Sequence, residues 1–397
     1  MTLKSITAQK LFPIGIVGSL AIISLLSIWK LPQWQVQPIQ QQIDALKTSK
    51  QAVDSKEIAA LEKSKLDAEN AARTVLVQGA GGLFAAAAAY IAWRNLKATQ
   101  EKQVAERFSK AVEQLGSENI HVRLGGIYAL EQIAKDAEEK YYWQVMETLT
   151  AYVREKAPTP LGALSKSSLL HKHSENWQKV WKIPGLPETD TQIVLVVLSR
   201  RKYRYGHSLE SSRLNLNSVD LPGISLPDDA QLFGADLISS NLQLADLAFV
   251  DLRDSRFCHA KLQQADFGGA KLDNANFFKA DLQEADFGGS SLVEARFSGA
   301  NLEKVTFYEA NLYKAELPGA SLQEADFRKA NLENTRFASA NLDKALFIDA
   351  NVHGTSFYQA SLRNVNFTNT KGLTDKQLSE AESYEGAFCE ILKISEI

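Results

Sequence analysis

A five-residue period runs through the C-terminal half of the chain and limits what the chain can fold into. From residue 235 onward the sequence reads ADLIS, SNLQL, ADLAF, VDLRD, SRFCH, and the pattern continues to residue 370. The central residue of each unit, at every fifth position from 237 to 367, is Leu or Phe in all 27 units except at Val352. The residue two positions earlier is always Ala, Ser, Val or Thr. A period of five fits neither a helix nor a strand, so the chain has to turn a corner in every unit.

A second period of 20 residues is superimposed on the first. If four units form one square coil, residues 20 apart stack, and Phe then occupies two opposite interior walls while Leu occupies the other two. The small residue before each centre fits the interior corner, where a larger side chain would not. The Phe centres are 257, 277, 297, 337 and 357 on one wall and 267, 287, 307, 327, 347 and 367 on the other.

This pattern resembles that of the pentapeptide-repeat family, which is written A(D/N)LXX. The resemblance implies a right-handed quadrilateral β-helix over residues 213–370. With strands stacked ~4.8 Å apart, nearly seven coils give a rod of roughly 30 Å. Two irregularities are expected. One extra residue near Pro227 and Asp228 should form a bulge, and Leu317 stands where Phe is expected and is followed by Pro318.

Two uncharged apolar runs precede the repeats. Residues 11–29 are long enough, at ~1.5 Å per residue, to cross a hydrocarbon core of ~30 Å. A cleaved signal peptide is the alternative, because Lys4 and Lys10 precede this run. Residues 74–93 form a second run, richer in Ala and Gly. We therefore expect two transmembrane helices joined by a polar, helical, extracytoplasmic loop over residues 30–73.

Basic residues indicate the orientation of this hairpin. Lys4 and Lys10 precede the first run, and Arg94, Lys97 and Lys102 follow the second. The positive-inside rule then favours both termini in the cytoplasm. Family resemblance to cyanobacterial proteins points to the plasma or thylakoid membrane, with the solenoid on the cytoplasmic side. Small residues four positions apart in the second run would also let transmembrane helices pack closely, so oligomerisation stays open.

The segments between the membrane and the repeats are predicted to be mainly helical. Residues 94–156 carry three apolar stripes at helical spacing, and residues 106–136 resemble the HEAT- or armadillo-like segment that precedes the repeats in many membrane-associated members of the family. Residues 157–188 are interpreted as a proline-punctuated linker. Residues 189–212 are predicted to form a helix and the entry to the solenoid, with a buried strand as the competing interpretation of IVLVVL. Residues 371–397 resemble a C-terminal cap containing a helix.

No motif for a catalytic or cofactor site is present. The chain lacks GxxxxGK[ST], GxGxxG, HExxH and GxSxG, and the closest approach to a metal site is His171, His173 and Glu175, in the linker. Cys258 and Cys389 are the only cysteines, too few for a disulfide framework or a CxxC-type zinc site. We therefore expect a non-enzymatic protein without metal or cofactor.

Outward residues that are 20 apart stack into files, and two such files are candidate surfaces. On one Phe wall, arginines before the centres lie beside apolar and aromatic residues after the centres, a combination that interfaces favour. On the other Phe wall, an acidic residue precedes several centres. The candidate binding face comprises Ile238, Arg256, Phe278, Arg296, Arg336 and Tyr358, and the alternative acidic face comprises Asp246, Asp266, Asp286 and Asp326.

The function that these features favour is binding of another protein by a membrane-anchored, non-enzymatic scaffold. Nucleic acid is not the expected partner, because the net charge of the chain is -3 and a nucleic-acid binder usually carries excess basic residues. The alternative rests on family resemblance, since some members act as DNA mimics that bind DNA gyrase. Residues 231–370 contain 18 acidic and 13 basic residues, which is a mild excess for a mimic.

Overall fold

The computed structural model describes residues 19, 22–23, 26–48, 55–159, 189–203, 206–210 and 212–388. It divides into two compact units, Met1–Gln103 and Val104–Ile397. The linker residues 160–188 and most of the first apolar run lie outside the described residues. The helices are α1, described over residues 26–35, α2 (Gln37–Thr48), α3 (Ser55–Leu115), α4 (Ile120–Asp136), α5 (Glu138–Lys156), α6 (Thr189–Ser199) and α7 (Asp375–Ser379).

In the first unit, α2 and the beginning of α3 form an antiparallel helical hairpin. Lys47 Nζ lies 2.7 Å from Glu62 Oε1, and Lys65 Nζ donates to Gln40 Oε1 at 2.6 Å. The later residue of α2 therefore meets the earlier residue of α3, which sets the antiparallel direction. Ile43 is buried.

The second apolar run, residues 74–93, lies inside α3, which continues through it without a break. Its side chains face outward, and Val75, Leu83 and Trp93 are all exposed. Among the residues that the structure describes, α3 is the one helix long and apolar enough to cross a membrane. The prediction of two spanning helices is thus supported for one only, since most of residues 11–29 are not described.

The second unit begins with a small helical domain made by the end of α3 together with α4, α5 and α6. The predicted apolar stripes of α4 and α5 face its core, whereas Val112 of the stripe predicted at the end of α3 is exposed. Residues 189–199 form a helix rather than a strand. Resemblance to HEAT or armadillo repeats stays a prediction. The buried stripe residues are Ile127, Leu130 and Ile133 on α4 and Met146, Leu149 and Val153 on α5.

Glycine is required at the crossing of α3 and α4. A Cβ placed on Gly126 would lie 2.8 Å from the carbonyl oxygen of Ala111, so any side chain would push the two helices apart. A Cβ on the neighbouring Gly125 would meet nothing within 4 Å. The close contact between the two helices therefore depends on Gly126 and not on Gly125.

One buried polar network connects α4, α5 and α6, and a second lies in the segment between α6 and the solenoid. Arg123 Nε donates to Asp190 Oδ2 at 2.5 Å, and Tyr152 OH donates to the same oxygen, so α4, α5 and α6 share one fully buried carboxylate. Burial alone would raise the pKa of Asp190, but the hydrogen bonds from Tyr152 and Arg123 bring it below its usual value. In the second network Arg201 forms an ion pair with Glu210, and both side chains are inaccessible to solvent.

The helical domain covers the first coil of the solenoid. Pro158 pairs with Val219 as an antiparallel bridge, and Arg154 donates to the carbonyl oxygen of Asn215. The amide of Gln231 donates to Ser199 O at 2.7 Å, at the end of α6. These contacts satisfy backbone groups that the end of a solenoid would otherwise leave unpaired.

From Asn215 onward the backbone forms a four-sided coil. Between Gln231 and Lys371, the residue before each centre pairs in parallel with the residue 20 positions later, as in the series Asp246, Asp266 and Asp286. The amide of each centre donates to the next coil, for example Phe267 N to Asp286 O at 2.7 Å. The spacing of these bridges agrees with four pentapeptides per coil.

The predicted phenylalanine walls are present and meet inside the coil. Phe267 and Phe287 stack with ring centroids 4.8 Å apart. Phe277, on the opposite wall, contacts both rings edge-on at 6.0 and 5.8 Å. Rings on the same wall therefore stack, and rings on opposite walls meet edge to face. Both are geometries that aromatic pairs prefer.

The second residue after each centre adopts a left-handed conformation. Leu244, Lys344 and Gln359 have φ values of 60°, 63° and 53°. This conformation costs an L-residue about 1–2 kcal/mol. It is retained because the amide there joins the ladder between coils, as when Gln359 N donates to Glu380 O at 2.8 Å.

The expected bulge lies in the first coil. Asn215, Asp220 and Ser225 pair with residues 21 positions later, whereas from Gln231 onward the offset is 20. The extra residue therefore falls between Ser225 and Gln231, as predicted. At the other irregularity the backbone is undisturbed, because Leu317 N still donates to Arg336 O at 2.8 Å.

The C-terminal helix is an insertion within the coil rather than its end. α7 has five residues, and Thr374 and Gln377 form a capping box at its start. The Gln377 side chain also donates to the carbonyl oxygens of Val352 and Thr355, at 2.9 and 2.8 Å. Beyond α7, bridges from Ser361 to Ser383 and from Asn366 to Phe388 continue the coil. The coil therefore extends past residue 370, where it was predicted to end.

Candidate interaction surface

The arginines of the candidate binding face lie in one straight file on a Phe wall. Parallel bridges connect Asp236, Arg256, Asn276, Arg296, Glu316 and Arg336 in that order, one residue per coil; we call this set the arginine file. Arg256 makes a two-pronged ion pair with Asp236. Arg336 Nη1 lies 3.5 Å from Glu316 Oε1. Within the described part of the chain Arg296 has no ion-pair partner, so the file holds one guanidinium without a carboxylate.

The apolar and aromatic residues after the centres form a neighbouring file, but their aromatic rings do not touch. Phe278 and Tyr358 are both exposed, yet they lie four coils apart, which is about 19 Å at the usual strand spacing. Phe278 instead contacts His259 edge-on at 5.6 Å, and Lys279 Nζ lies 5.1 Å from its ring centroid. Phe278 and Tyr358 are thus two separate exposed aromatic side chains on one wall.

Ile238 and Cys258 occupy the same file, both partly exposed. The Sγ atom of Cys258 is 4.0 Å from the carbonyl oxygen of Asn276. Burial raises the pKa of the Cys258 thiol above its usual value. A raised pKa disfavours the thiolate, so this cysteine is a poor nucleophile.

A shallow polar groove separates the arginine file from the adjacent corner of the coil. Its volume is about 780 Å³, and it contains the side chains of Arg296 and Arg336. The corner side is formed by residues in consecutive coils, so the groove runs along the axis of the solenoid. These corner residues are Asp254, Asn274, Glu294, Lys314 and Asn334.

The acidic face lies on the opposite Phe wall, and its carboxylates bind the turns that follow them. Asp266 Oδ1 accepts from Gly268 N and Asp286 Oδ1 accepts from Gly288 N, each at 2.8 Å. Asp326 accepts from the amide of Arg328 at 3.0 Å and also pairs with its guanidinium. Each contact follows the turn chemistry of Asp, which bonds the backbone two residues later.

Sequence reasoning missed a second aromatic and basic cluster above the acidic face. Lys329 Nζ donates to Tyr308 OH at 2.7 Å and lies 3.1 Å from Glu309 Oε1. Arg328 also lies over the Tyr308 ring, at 5.7 Å. These residues follow their centres by one or two positions. Tyr308 and Arg328 stack at the first position after the centres of this wall, and Glu309 and Lys329 stack at the second, so the 20-residue period also places these residues together.

No group of three or more metal-ligating side chains capable of holding a metal ion occurs among the residues that the structure describes. The motif containing His171, His173 and Glu175 lies outside them.

Comparison with known proteins identifies the repeats. The model for the pentapeptide repeat region matches residues 300–378, and the model for pentapeptide repeats in eight copies matches residues 230–269, 240–278, 251–292 and 280–317. No curated protein matches the chain significantly.

Several solved structures are similar to part of the chain. HetL, a pentapeptide repeat protein involved in heterocyst differentiation regulation from the cyanobacterium Nostoc sp. strain PCC 7120, is 26% identical over 44% of this chain and 86% of its own, with a TM-score of 0.26. QnrB1, a plasmid-mediated fluoroquinolone resistance protein, is 20% identical over 43% of this chain and 89% of its own, with a TM-score of 0.30. A pentapeptide repeat protein from the Arabidopsis thaliana thylakoid lumen is 38% identical over 26% and 63%, with a TM-score of 0.16.

Proposed function

This chain belongs to the pentapeptide-repeat family, and we propose that it is a non-enzymatic, membrane-anchored scaffold whose solenoid binds another protein. The observation that carries the proposal is the arginine file, which holds guanidinium groups at fixed intervals along one straight wall. Arginine and aromatic residues are enriched at the energetically important positions of interfaces. Phe278 and Tyr358 lie beside this file and supply the aromatic part.

The construction of the solenoid supports a binding role, because side chains on its walls are held by a rigid core. The centre beneath each outward residue is a buried Leu or Phe, or in one unit Val352, and the backbone is bonded to the coils on both sides. A partner would therefore meet groups that lose little conformational freedom on binding, which favours affinity.

The membrane anchor is proposed from α3. Its apolar section of residues 74–93 has about the length needed to cross a bilayer. Tyr90 and Trp93 lie at one end of that section, where the aromatic belt of a membrane protein forms, and Arg94 and Lys97 follow immediately.

The hairpin of the first unit supports a second span. The contacts of Lys47 with Glu62 and of Gln40 with Lys65 set an antiparallel register between the two arms. This register places the start of α2 at the level of the residues that precede the apolar section of α3, and the uncharged run of residues 11–29 comes before α2 in the sequence. With the basic flanks inside, the solenoid is cytoplasmic at a bacterial plasma or thylakoid membrane.

A reporter that is active only in the cytoplasm tests this topology. Fusion before Met1 or after Ile397 should give activity, whereas insertion near Gln51 should not. Activity at Gln51 would rule out the hairpin, while leaving the binding proposal untouched.

Binding itself is tested by capture of a partner from detergent-solubilised membranes. A Phe278→Ser, Arg296→Glu, Arg336→Glu variant should keep the melting temperature of the parent and lose its partner, because the three side chains point away from the core. The matched control, Asp266→Ser with Asp286→Ser, alters the opposite wall and should retain the partner. If the acidic-face variant loses the partner and the arginine variant retains it, the acidic face is the binding surface. That result would favour the DNA-mimic alternative, in which a topoisomerase is the partner.

A further inference from the structure

The arginine file presents positive charge to solvent even though it contains acidic residues. The side chain of Arg256 is 43% exposed and that of Asp236 is 11% exposed. Arg336 is 69% exposed and Glu316 is 42% exposed. In both pairs the carboxylate lies closer to the wall and the guanidinium lies outside it. An approaching molecule therefore meets the arginines first, and guanidinium can bind a protein carboxylate through two parallel charge-assisted hydrogen bonds.

The arginines of the file recur in every second coil. Arg256, Arg296 and Arg336 alternate with Asn276 and Glu316. Stacked rings of adjacent coils are 4.8 Å apart at Phe267 and Phe287, so arginines two coils apart are separated by about 9.6 Å at the usual strand spacing. A ligand matching this file needs acidic groups at that interval.

The spacing of about 9.6 Å between arginines can be compared with the spacing of side chains on one face of an α-helix and of a β-strand. On one face of a helix, residues seven apart are separated by ~10.5 Å along the axis. On one face of a strand, successive residues are ~6.8 Å apart, and the next repeat is ~13.6 Å. The helical spacing lies within about 1 Å of the arginine spacing, whereas neither strand spacing does.

From these spacings, and resting on the binding function proposed above, we infer that the arginine file binds an amphipathic α-helix of a partner protein with an acidic residue at every seventh position. The helix lies along the axis of the solenoid. Its apolar stripe, which recurs with the same seven-residue period, faces the file that contains Phe278, Pro318 and Tyr358. Its carboxylates meet the guanidinium groups of Arg296 and Arg336 at the edge of the polar groove, which also holds Lys314 and the carboxylates of Asp254, Glu294 and Glu316.

The residues between the arginines make the site selective for spaced acids. Glu316 lies between Arg296 and Arg336, and Asp236 lies one coil before Arg256. A uniformly acidic ligand would place charge against Glu316 and be repelled there, whereas a helix with one acid per two turns avoids it. Like charges in direct opposition lower affinity for unwanted partners.

Synthetic peptides test this inference directly on the full chain in detergent micelles. The first peptide is a 21-residue helix, about 32 Å long, with Glu at every seventh position and apolar residues on the adjoining stripe. The second has the same composition with the three Glu residues placed at every fifth position, and in the third Lys replaces Glu. Fluorescence anisotropy should show the first peptide binding at least tenfold more tightly than the others, with affinity falling as salt rises.

Variants locate the binding and separate the two proposals. Arg296→Glu with Arg336→Glu should abolish the preference for the first peptide, and Asp266→Ser with Asp286→Ser should leave it unchanged. Equal binding of the two Glu peptides, or no binding of either, overturns the helical inference. If the arginine variant still loses its captured membrane partner in that case, the binding function stands and only the form of the partner is wrong.

Discussion

The solenoid is held by one set of contacts repeated in every coil, whereas the helical domain combines an apolar core with a few buried polar contacts that each occur once. In the solenoid, Phe287 meets Phe267 and Phe307 in the same way that each of them meets its own neighbour. In the helical domain a single carboxylate, Asp190, receives donors from both α4 and α5. Stability in the first region is therefore distributed along the chain, and in the second it is concentrated at individual side chains.

The largest expected effect comes from deletions that break the register of the repeats. Removing residues 275–294 takes out one whole coil, so every wall should rejoin in register and the protein should remain folded. Removing residues 275–281 moves Phe and Leu onto the wrong walls and should unfold the coils. Thermal melts followed by circular dichroism measure both. Equal tolerance of the two deletions would contradict a coil of four pentapeptides.

Truncating one ring of the aromatic core should have the next largest effect. Phe287→Ala is expected to lower the free energy of unfolding by ~3–5 kcal/mol, because the ring is fully buried and its neighbours are fixed in their stacks. The control is Phe278→Ser, which changes an outward phenylalanine in the same solenoid and should shift stability by less than about 0.5 kcal/mol. Urea unfolding of the two variants gives the comparison.

Neutralising the buried carboxylate of the helical domain should cost about 3 kcal/mol, since Asp190→Asn leaves the Arg123 charge buried without its partner. Because the folded-state pKa of Asp190 is lowered, its contribution is fully present above the ordinary Asp pKa of about 4 and is lost as pH falls through the folded value. The stability difference between parent and variant, measured by urea unfolding, should thus be constant at neutral pH and shrink in acid. The control is Asp349→Asn, on the exposed surface, which should change the free energy of unfolding by less than about 0.5 kcal/mol at neutral pH. A constant difference down to pH 2 would mean that the contact does not hold the carboxylate ionised.

The smallest effects should have opposite signs in the two regions. Gly126→Ala should lower the free energy of unfolding by ~1–3 kcal/mol, because the added Cβ would overlap the backbone of α3. Gln359→Gly should raise it by roughly 0.5–1 kcal/mol, because glycine adopts a left-handed conformation without the cost that glutamine carries. Differential scanning calorimetry resolves both changes. A loss of stability in Gln359→Gly would show that the Gln359 side chain makes a contribution larger than its backbone strain.

The same contrast explains which features could be predicted from the sequence. The Phe walls, the bulge before Gln231 and the stacking of the arginine file all follow from periods of five and 20 residues. The left-handed corners do not, because residues as different as Leu244 and Gln359 occupy them. The pairing of Arg123 with Asp190 joins residues 67 positions apart, with no repeat to indicate it.

The order of the residues in the arginine file could be predicted from the sequence, but the exposure of their side chains could not. The files predict which side chains stack, because the backbone determines that spacing. Whether a carboxylate lies inside or outside its arginine depends on rotamers, which the period does not constrain. The return of the chain to the coil after α7 also could not be predicted from the 20-residue period, because the paired residues there are 22 positions apart.

The coil spacing also limits how far a straight helix can follow the wall. Two coils advance by about 9.6 Å and seven helical residues by about 10.5 Å. A straight helix therefore moves out of register with the arginines by roughly 1 Å for every two coils. Across Arg256, Arg296 and Arg336 the accumulated drift is about 2 Å, which long arginine side chains can absorb. A fourth or fifth arginine would fall out of step with a straight helix, so a longer contact would require the partner helix to bend or to coil around the solenoid.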